Sequence, residues 1–133
     1  MIEVVELDRL KEAVGERGTS AYVLTVSGTA TPHVVQAAVR WVEGRLAAEV
    51  GATIARNATA RPGVSVLYPA RSPVDHSLII DGTARIESVE GRHRLLVTPT
   101  RGVLHRDAPS PDPTSSCTAD CVPLLQTVRR ATR

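Results

Sequence analysis

The sequence has no phenylalanine, and aromatic residues make up only 2% of its 133 residues. Its hydrophobic content of 42% is therefore mostly Val, Ala, Leu and Ile, and branched aliphatic side chains favour strands. The length and hydrophobic content predict a single domain spanning residues 1–133, with a loop-rich tail over 107–133. A core without large rings gains less from each buried side chain, so we expect a small barrel or a buried dimer face.

Few aromatic residues and no basic stripe also argue against a nucleic-acid-binding protein. Tyr22, Trp41 and Tyr68 are too scattered to form a surface on which bases stack. The formal net charge is only +2, and Lys11 is the only lysine. We therefore predict no nucleic-acid partner.

The sequence also has no long apolar run, and we expect no secretory leader. No run approaches the roughly 18 apolar residues of a membrane-spanning helix, and the opening "MIEVVELDRL" is acidic where a signal peptide would be basic. These features predict a cytoplasmic protein without a membrane partner. Its two cysteines, Cys117 and Cys121, are then expected to be free thiols rather than a structural disulfide.

The periodicity of the apolar residues predicts a mostly β fold with two helices. Val4, Leu7, Leu10 and Val14 recur at helical spacing, which predicts an amphipathic helix over 4–17. Six antiparallel strands follow, with a short helix between the third and the fourth, and we expect them to form a small barrel. The predicted strands span 20–27, 32–42, 45–50, 64–69, 76–88 and 93–106. Gly82 is predicted to mark a bulge. The chain after residue 120 is predicted to form a final helical turn or a frayed tail.

The short helix lies in the stretch "GATIARNATARPGVSVLYP", residues 51–69. It is too short and polar to bury much core, but the amides that open a helix have no internal partners and attract anions. Thr53, Arg56 and Asn57 add a hydroxyl, a guanidinium and an amide, so together they can hold one phosphate. The alternative is a capped linker helix with solvated polar residues.

Three segments together resemble the pyridoxamine 5'-phosphate oxidase-like family of split β-barrel flavoproteins. They are "YVLTVSGTATPHVVQAAVRWVEGRLAAEVG", "RNATARPGVSVLYP" and "LIIDGTARIE", and the resemblance covers about residues 5–106. It implies a six-stranded antiparallel split β-barrel with an N-terminal helix. It also implies a homodimer that binds FMN, or a deazaflavin instead, at clefts between the subunits.

The resemblance further implies which residues hold the cofactor. The flavin ring is expected against the second strand, at Val35, Gln36, Ala37 and Ala38, and the phosphate at Thr53, Arg56 and Asn57. The implied activity is hydride transfer between the flavin and a small organic molecule. No catalytic residue is predicted, because the cofactor carries the chemistry.

One departure from the family pattern supports an alternative function. Many members have a lysine two residues before the Arg-Asn pair, where this sequence has Ile54. Loss of that charge favours a non-catalytic barrel dimer that binds a flavin or haem. A purely structural dimer is a third possibility.

Three further features have competing interpretations. His33 is interpreted as a strand-end residue bonded to backbone, with a role at the flavin edge as the alternative. Trp41 is expected to pack in a dimer interface rather than on a ligand. A zinc site needs more ligands than His105, Cys117 and Cys121 can provide, so we predict no metal. The cysteines are interpreted as surface thiols, with a redox-active pair or a contact loop as the alternatives.

Overall fold

The computed structural model describes residues 2–107 and 119–125 as two helices and seven strands. The helices are α1 (Ile2–Arg17) and α2 (Ala52–Ala60). The strands are β1 (Ser20–Val26), β2 (Pro32–Val42), β3 (Arg45–Val50), β4 (Gly63–Tyr68), β5 (Ser77–Val89), β6 (Arg92–Asp107) and β7 (Ala119–Leu125).

Six of the strands form a closed antiparallel barrel. The sheet order is β3-β2-β1-β4-β5-β6-β7, and β3 also pairs with β6, which closes the ring. The first part of β6 pairs with β3, from Leu46 opposite Val97 to Val50 opposite His93. The second part of β6 pairs instead with β7, from Gly102 to Asp107. The first part of β6 therefore closes the barrel, and its second part extends the sheet beyond the barrel to β7.

A bulge allows the long β5–β6 hairpin to bend around the barrel. Asp81 lies opposite Arg101, but Gly82 lies opposite Pro99, so Thr100 is the extra residue. A Cβ on Gly82 would lie 2.5 Å from the Thr98 carbonyl oxygen. Only glycine permits this close approach of the two strands.

The core is aliphatic, and both helices contribute to it. Leu10, Ala13 and Val14 of α1 are buried, as are Ile54 and Ala58 of α2. Strands β1, β4 and β5 add alternate residues such as Val23, Val66 and Ile80, each 0% exposed. The alternation follows from the pleat, because successive side chains point to opposite faces of a strand.

The predicted fold class is confirmed, and each of the six predicted strands lies within one residue of the observed bounds. The helix at the N-terminus and the helix between β3 and β4 are also confirmed, as is the bulge at Gly82. The prediction for the last segment is wrong in part. Residues 121–125 do not form a helical turn or a frayed tail but lie in strand β7, because Val122 and Leu124 pack against the core. Among the described residues, neither helix is long and apolar enough to cross a bilayer.

Candidate functional site

Helix α2 begins without a side-chain cap. Its N-cap residue is Gly51, which has no side chain to cap the helix, and the first turn contains no acidic residue. The first helical hydrogen bond runs from the Ala55 amide to the Gly51 carbonyl, at 3.1 Å. The amides of residues 52–54 therefore have no partner within the helix, and they carry the positive end of its dipole.

These amides border a pocket of about 320 Å³ between the start of α2 and strand β2. The pocket is lined by β2, by the end of β3 and by the first residues of α2: His33, Val35, Gln36, Ala37, Glu49, Val50, Gly51, Ala52, Thr53 and Ile54. The Nδ1 atom of His33 is buried and has no hydrogen-bond partner among the described residues. The start of a helix and a histidine whose buried Nδ1 lacks a partner among the described residues thus border one pocket, which we call the α2 pocket.

The structure brings together four of the seven residues predicted to bind the cofactor. Val35, Gln36, Ala37 and Thr53 all line the α2 pocket. Val35 and Ala37 are half-buried and pack against the core, whereas the Gln36 side chain is exposed and donates a 2.7 Å hydrogen bond to the Ser20 hydroxyl. The side of the pocket formed by β2 therefore combines two apolar side chains with the imidazole of His33 and the amide of Gln36.

Ala38 lies outside the α2 pocket. It lines a neighbouring groove of about 720 Å³ on the outer face of β2, β3, β5 and β6. The charges in this groove are mixed: Arg92 pairs with Glu49 at 2.8 Å, and Arg94 with Glu87 at 3.9 Å. Because these pairs are well exposed to water, each contributes little to stability. Glu49 lines both cavities, so the groove adjoins the α2 pocket.

Arg56 is exposed on α2, and its side chain makes no hydrogen bond or ion pair within residues 2–107 and 119–125. It follows the exposed Thr53 by three residues, and residues with this spacing are neighbours on a helix surface. The guanidinium is thus available to an anion that binds at the start of the helix.

Asn57 has a different environment from the one expected of a phosphate ligand. Its side chain is 4% exposed, and its amide nitrogen donates a 3.1 Å hydrogen bond to the hydroxyl of Thr25, which is 1% exposed. Asn57 therefore faces the barrel interior, together with Ile54 and Ala58 of the same helix. It fixes α2 to strand β1 instead of facing the α2 pocket.

Ile54 is likewise a core residue, at 2% exposure. Ile54 occupies the position at which many members of the resembled family have a lysine. In this fold its side chain joins the aliphatic core at the edge of the α2 pocket. The residue therefore has a packing role of its own.

The other residues considered in the sequence also have defined places. Trp41 is half-buried and packs against the core cluster, next to Leu7 of α1. Cys121 is an exposed free thiol, and its Sγ lies 3.1 Å from His105 Nδ1. Cys117 lies outside the described residues. Within those residues, no group of three or more His, Cys, Asp or Glu could hold a metal ion.

An apolar row on the outer face of the sheet was not evident from the sequence. Tyr22, Leu67, Ile79 and Val103 are successive cross-strand partners on β1, β4, β5 and β6. None of them belongs to the core cluster; Val103 is buried and the other three are half-buried. We call these four residues the outer row. At its β1 end, Tyr22 pairs with Gln36 of the α2 pocket. The alternation within each strand was a signal for this face, but only the strand order shows that the four residues are adjacent.

Comparisons of the sequence find distant relatives. No protein-family profile matches the chain. Two uncharacterised proteins, one from Mycobacterium bovis and one from Mycobacterium tuberculosis, are each 36% identical over 78 residues. The match covers 55% of this chain and 55% of theirs, so the chain spans about half the length of the curated relatives it matches.

Comparisons of the structure find the same fold in several solved proteins. A pyridoxamine 5'-phosphate oxidase-like protein from Listeria innocua matches with a TM-score of 0.64 and 18% identity, over 74% of this chain and 96% of its own. An F420 reductase matches at 0.59 and 19%, over 68% and 94%. The haem storage protein of Vibrio cholerae matches at 0.56 and 17%, over 69% and 88%. The chain therefore has the split β-barrel fold of the pyridoxamine 5'-phosphate oxidase-like proteins.

Proposed function

We propose that this protein is a flavin-dependent oxidoreductase that acts on a small organic molecule. The cofactor is FMN or a deazaflavin, bound in the α2 pocket of each subunit of a homodimer. One observation carries the proposal: the uncapped start of α2 and His33, whose buried Nδ1 has no partner among the described residues, line the same 320 Å³ pocket, beside the half-buried Val35 and Ala37 of β2. A nucleotide cofactor needs these two environments, one for its phosphate and one for its ring.

The start of α2 suits the phosphate. Three amides without helical partners, the Thr53 hydroxyl and the exposed Arg56 guanidinium all lie within the first five residues of this helix. Backbone amides at a helix start bind phosphate together with the helix dipole, and a guanidinium adds a charge-assisted hydrogen bond. Asn57 supports this site indirectly, because its bond to Thr25 holds the helix against the barrel.

Strand β2 suits the ring. Val35 and Ala37 present small apolar side chains, and Gln36 presents an amide at the pocket edge. A bound flavin would supply hydride transfer, while the protein supplies position and electrostatics. His33 contributes a ring nitrogen without a partner, which can hydrogen-bond the polar edge of the cofactor or of the substrate. The fold shared with an F420 reductase supports this assignment.

We propose that the outer row is the face that packs against a second copy. Tyr22, Leu67 and Ile79 leave apolar surface half-exposed in the single chain, and covering such surface stabilises association. The row ends beside Gln36, so a cofactor in the α2 pocket would lie at the border of this face. This arrangement gives a cleft shared by two subunits.

A second candidate function is haem binding without catalysis. Imidazole is a common axial ligand of haem iron, and the unpartnered nitrogen of His33 beside an apolar strand is favourable for this role. The haem storage protein of Vibrio cholerae, which has the same fold, also supports it.

Visible spectra and titrations distinguish these candidates. Purified protein is titrated separately with FMN, a deazaflavin and haemin, and binding is followed by fluorescence quenching or by the Soret band. We expect saturable binding of one of the two flavins. The bound flavin is then reduced without oxygen and mixed with a panel of quinones and conjugated carbonyl compounds. We expect at least one of these compounds to reoxidise it. A Soret band that His33→Phe abolishes would instead support the haem function. Failure of all three ligands to bind would refute both candidates.

A further inference from the structure

Strands β6 and β7 place a histidine against a cysteine outside the α2 pocket. His105 and Cys121 are direct cross-strand partners, and the distance from Nδ1 to Sγ is 3.1 Å. This contact lets the thiol donate a hydrogen bond to a neutral imidazole whose proton is on Nε2. A nucleophile and a base are therefore in direct contact.

Access to this pair is open. Cys121 is exposed and His105 is half-buried. Strand β7 is the last strand in the sheet order, so its other edge is unpaired among the described residues. The cross-strand pair two positions along, Val103 and Pro123, is apolar, and Val103 is also the last residue of the outer row. A small molecule can thus reach the sulfur from the sheet edge.

The composition of the pair favours covalent thiol chemistry over metal binding. A zinc site needs about four ligands, whereas the described residues contain no cluster of three. A thiol beside an imidazole instead matches the arrangement in which the base takes the proton as the sulfur attacks.

We propose that Cys121, with His105 as its base, is a site of thiol–disulfide exchange that reacts with small organic disulfides. The Cys121 proton passes to His105 Nδ1, and the sulfur attacks one sulfur of the disulfide. A new S–S bond forms on Cys121 as the disulfide bond breaks, and the departing thiolate takes up the proton from the imidazolium or leaves as the anion. The disulfide is the oxidant, so no other reactant is required. This inference is independent of the proposed flavin function.

The two cysteines of the chain provide matched variants for a test. Cys117→Ser leaves Cys121 as the sole thiol, and Cys121→Ser leaves only Cys117. The third variant, Cys117→Ser with His105→Asn, keeps a hydrogen-bonding group beside Cys121 but removes the base. Each is mixed with the aromatic disulfide 5,5'-dithiobis(2-nitrobenzoate), and the release of its coloured thiolate is timed across neutral and alkaline pH.

An ordinary thiol is only a few per cent thiolate at neutral pH, so a base that takes up the proton as the sulfur attacks raises the rate. We therefore expect Cys121 to react at least about fivefold faster at neutral pH than it does in the His105→Asn variant. We expect the difference to disappear at alkaline pH, where thiols ionise without help.

Equal neutral-pH rates with and without His105 would overturn the proposal. So would a constant rate difference across the whole pH range, because loss of structure rather than of a base would cause it. Circular dichroism and thermal unfolding of the three variants establish that they are folded. If His105→Asn unfolds, His105→Gln replaces it with the same criteria.

Discussion

The side-chain amide of Asn57 donates a 3.1 Å hydrogen bond to the hydroxyl of Thr25 inside the barrel, where both residues are buried. This hydrogen bond joins the short helix α2 to strand β1 and helps to fix the orientation of the helix start. Within a low-dielectric interior, removal of one partner leaves the other unsatisfied and is costly.

Thr25→Val tests the contribution of this contact, because it keeps the shape of the side chain and removes the hydroxyl. We expect the free energy of unfolding to fall by about 1–3 kcal/mol, since the buried Asn57 amide loses its acceptor. Thr59→Val is the control: Thr59 is exposed on the same helix, and its hydroxyl donates to the Ala55 carbonyl of that helix at 2.7 Å. Because water can replace this exposed bond, we expect a change within about 0.5 kcal/mol. Equal values from urea unfolding of the two variants would contradict the structural role of the bond.

Ile54→Lys tests whether this position faces the core or the solvent. At 2% exposure, a lysine here would bury an unpaired charge, and we expect a loss of about 3 kcal/mol or more. Thr53→Lys places the same charge on the exposed neighbouring residue. Its cost should stay below about 1 kcal/mol, from the unfavourable helix dipole alone. Thermal unfolding measures the stability of the two lysine variants. A stable Ile54→Lys variant would show that α2 is rotated from the orientation described.

Gly82→Ala tests the bulge that bends the β5–β6 hairpin. The added Cβ would lie 2.5 Å from the Thr98 carbonyl oxygen, so the two strands must separate, and we expect a loss of about 1–3 kcal/mol. Gly63→Ala serves as the control on the neighbouring strand β4, because no atom lies within 4 Å of its added Cβ. This change should be neutral or stabilise the fold by up to about 1 kcal/mol. Similar destabilisation by both would refute the close approach at Gly82.

Because Tyr68 is buried, we predict that the folded protein loses stability at alkaline pH. Burial raises the pKa of Tyr68 to about 12, above the value of about 10 for an exposed tyrosine. The stability that depends on its protonated form is complete below about pH 10 and is lost as the pH rises toward 12, at up to about 1.4 kcal/mol per pH unit. Tyr68→Phe should remove this part of the pH dependence. It should cost nothing at neutral pH, because the buried hydroxyl has no partner among the described residues. If the free energy of unfolding falls with pH equally in the wild type and in Tyr68→Phe, the raised pKa of Tyr68 is contradicted.

The barrel could be predicted from the sequence because its signals are local. Alternation at Ala21, Val23 and Thr25 marks the buried face of β1, and Glu43-Gly44, with positive φ at both residues, forms the predicted tight turn. Strand β7 was missed because it contains Pro123 and two adjacent leucines, so it lacks the alternating pattern of a half-buried strand.

The candidate site was predictable only in part. Thr53 follows from its place in the first turn of the helix, whereas Val35 and Ala37 came from the resemblance to the family; all three line the α2 pocket. The inward orientation of Asn57 and Ile54 could not be read from a nine-residue helix with small residues on most sides. It depends on which face the barrel covers. The contact of His105 with Cys121 likewise depends on strand register, which joins residues 16 positions apart.

The central claim is that the start of α2 binds the phosphate of a flavin nucleotide. The most direct test compares the dissociation constants of FMN and riboflavin for wild-type protein and for Arg56→Ala, with Arg85→Ala, an exposed arginine on β5, as the control. We predict that Arg56→Ala weakens FMN at least about tenfold, by loss of one charge-assisted contact, and leaves riboflavin and the control unchanged. Equal losses for FMN and riboflavin, or no loss for either, would contradict the account.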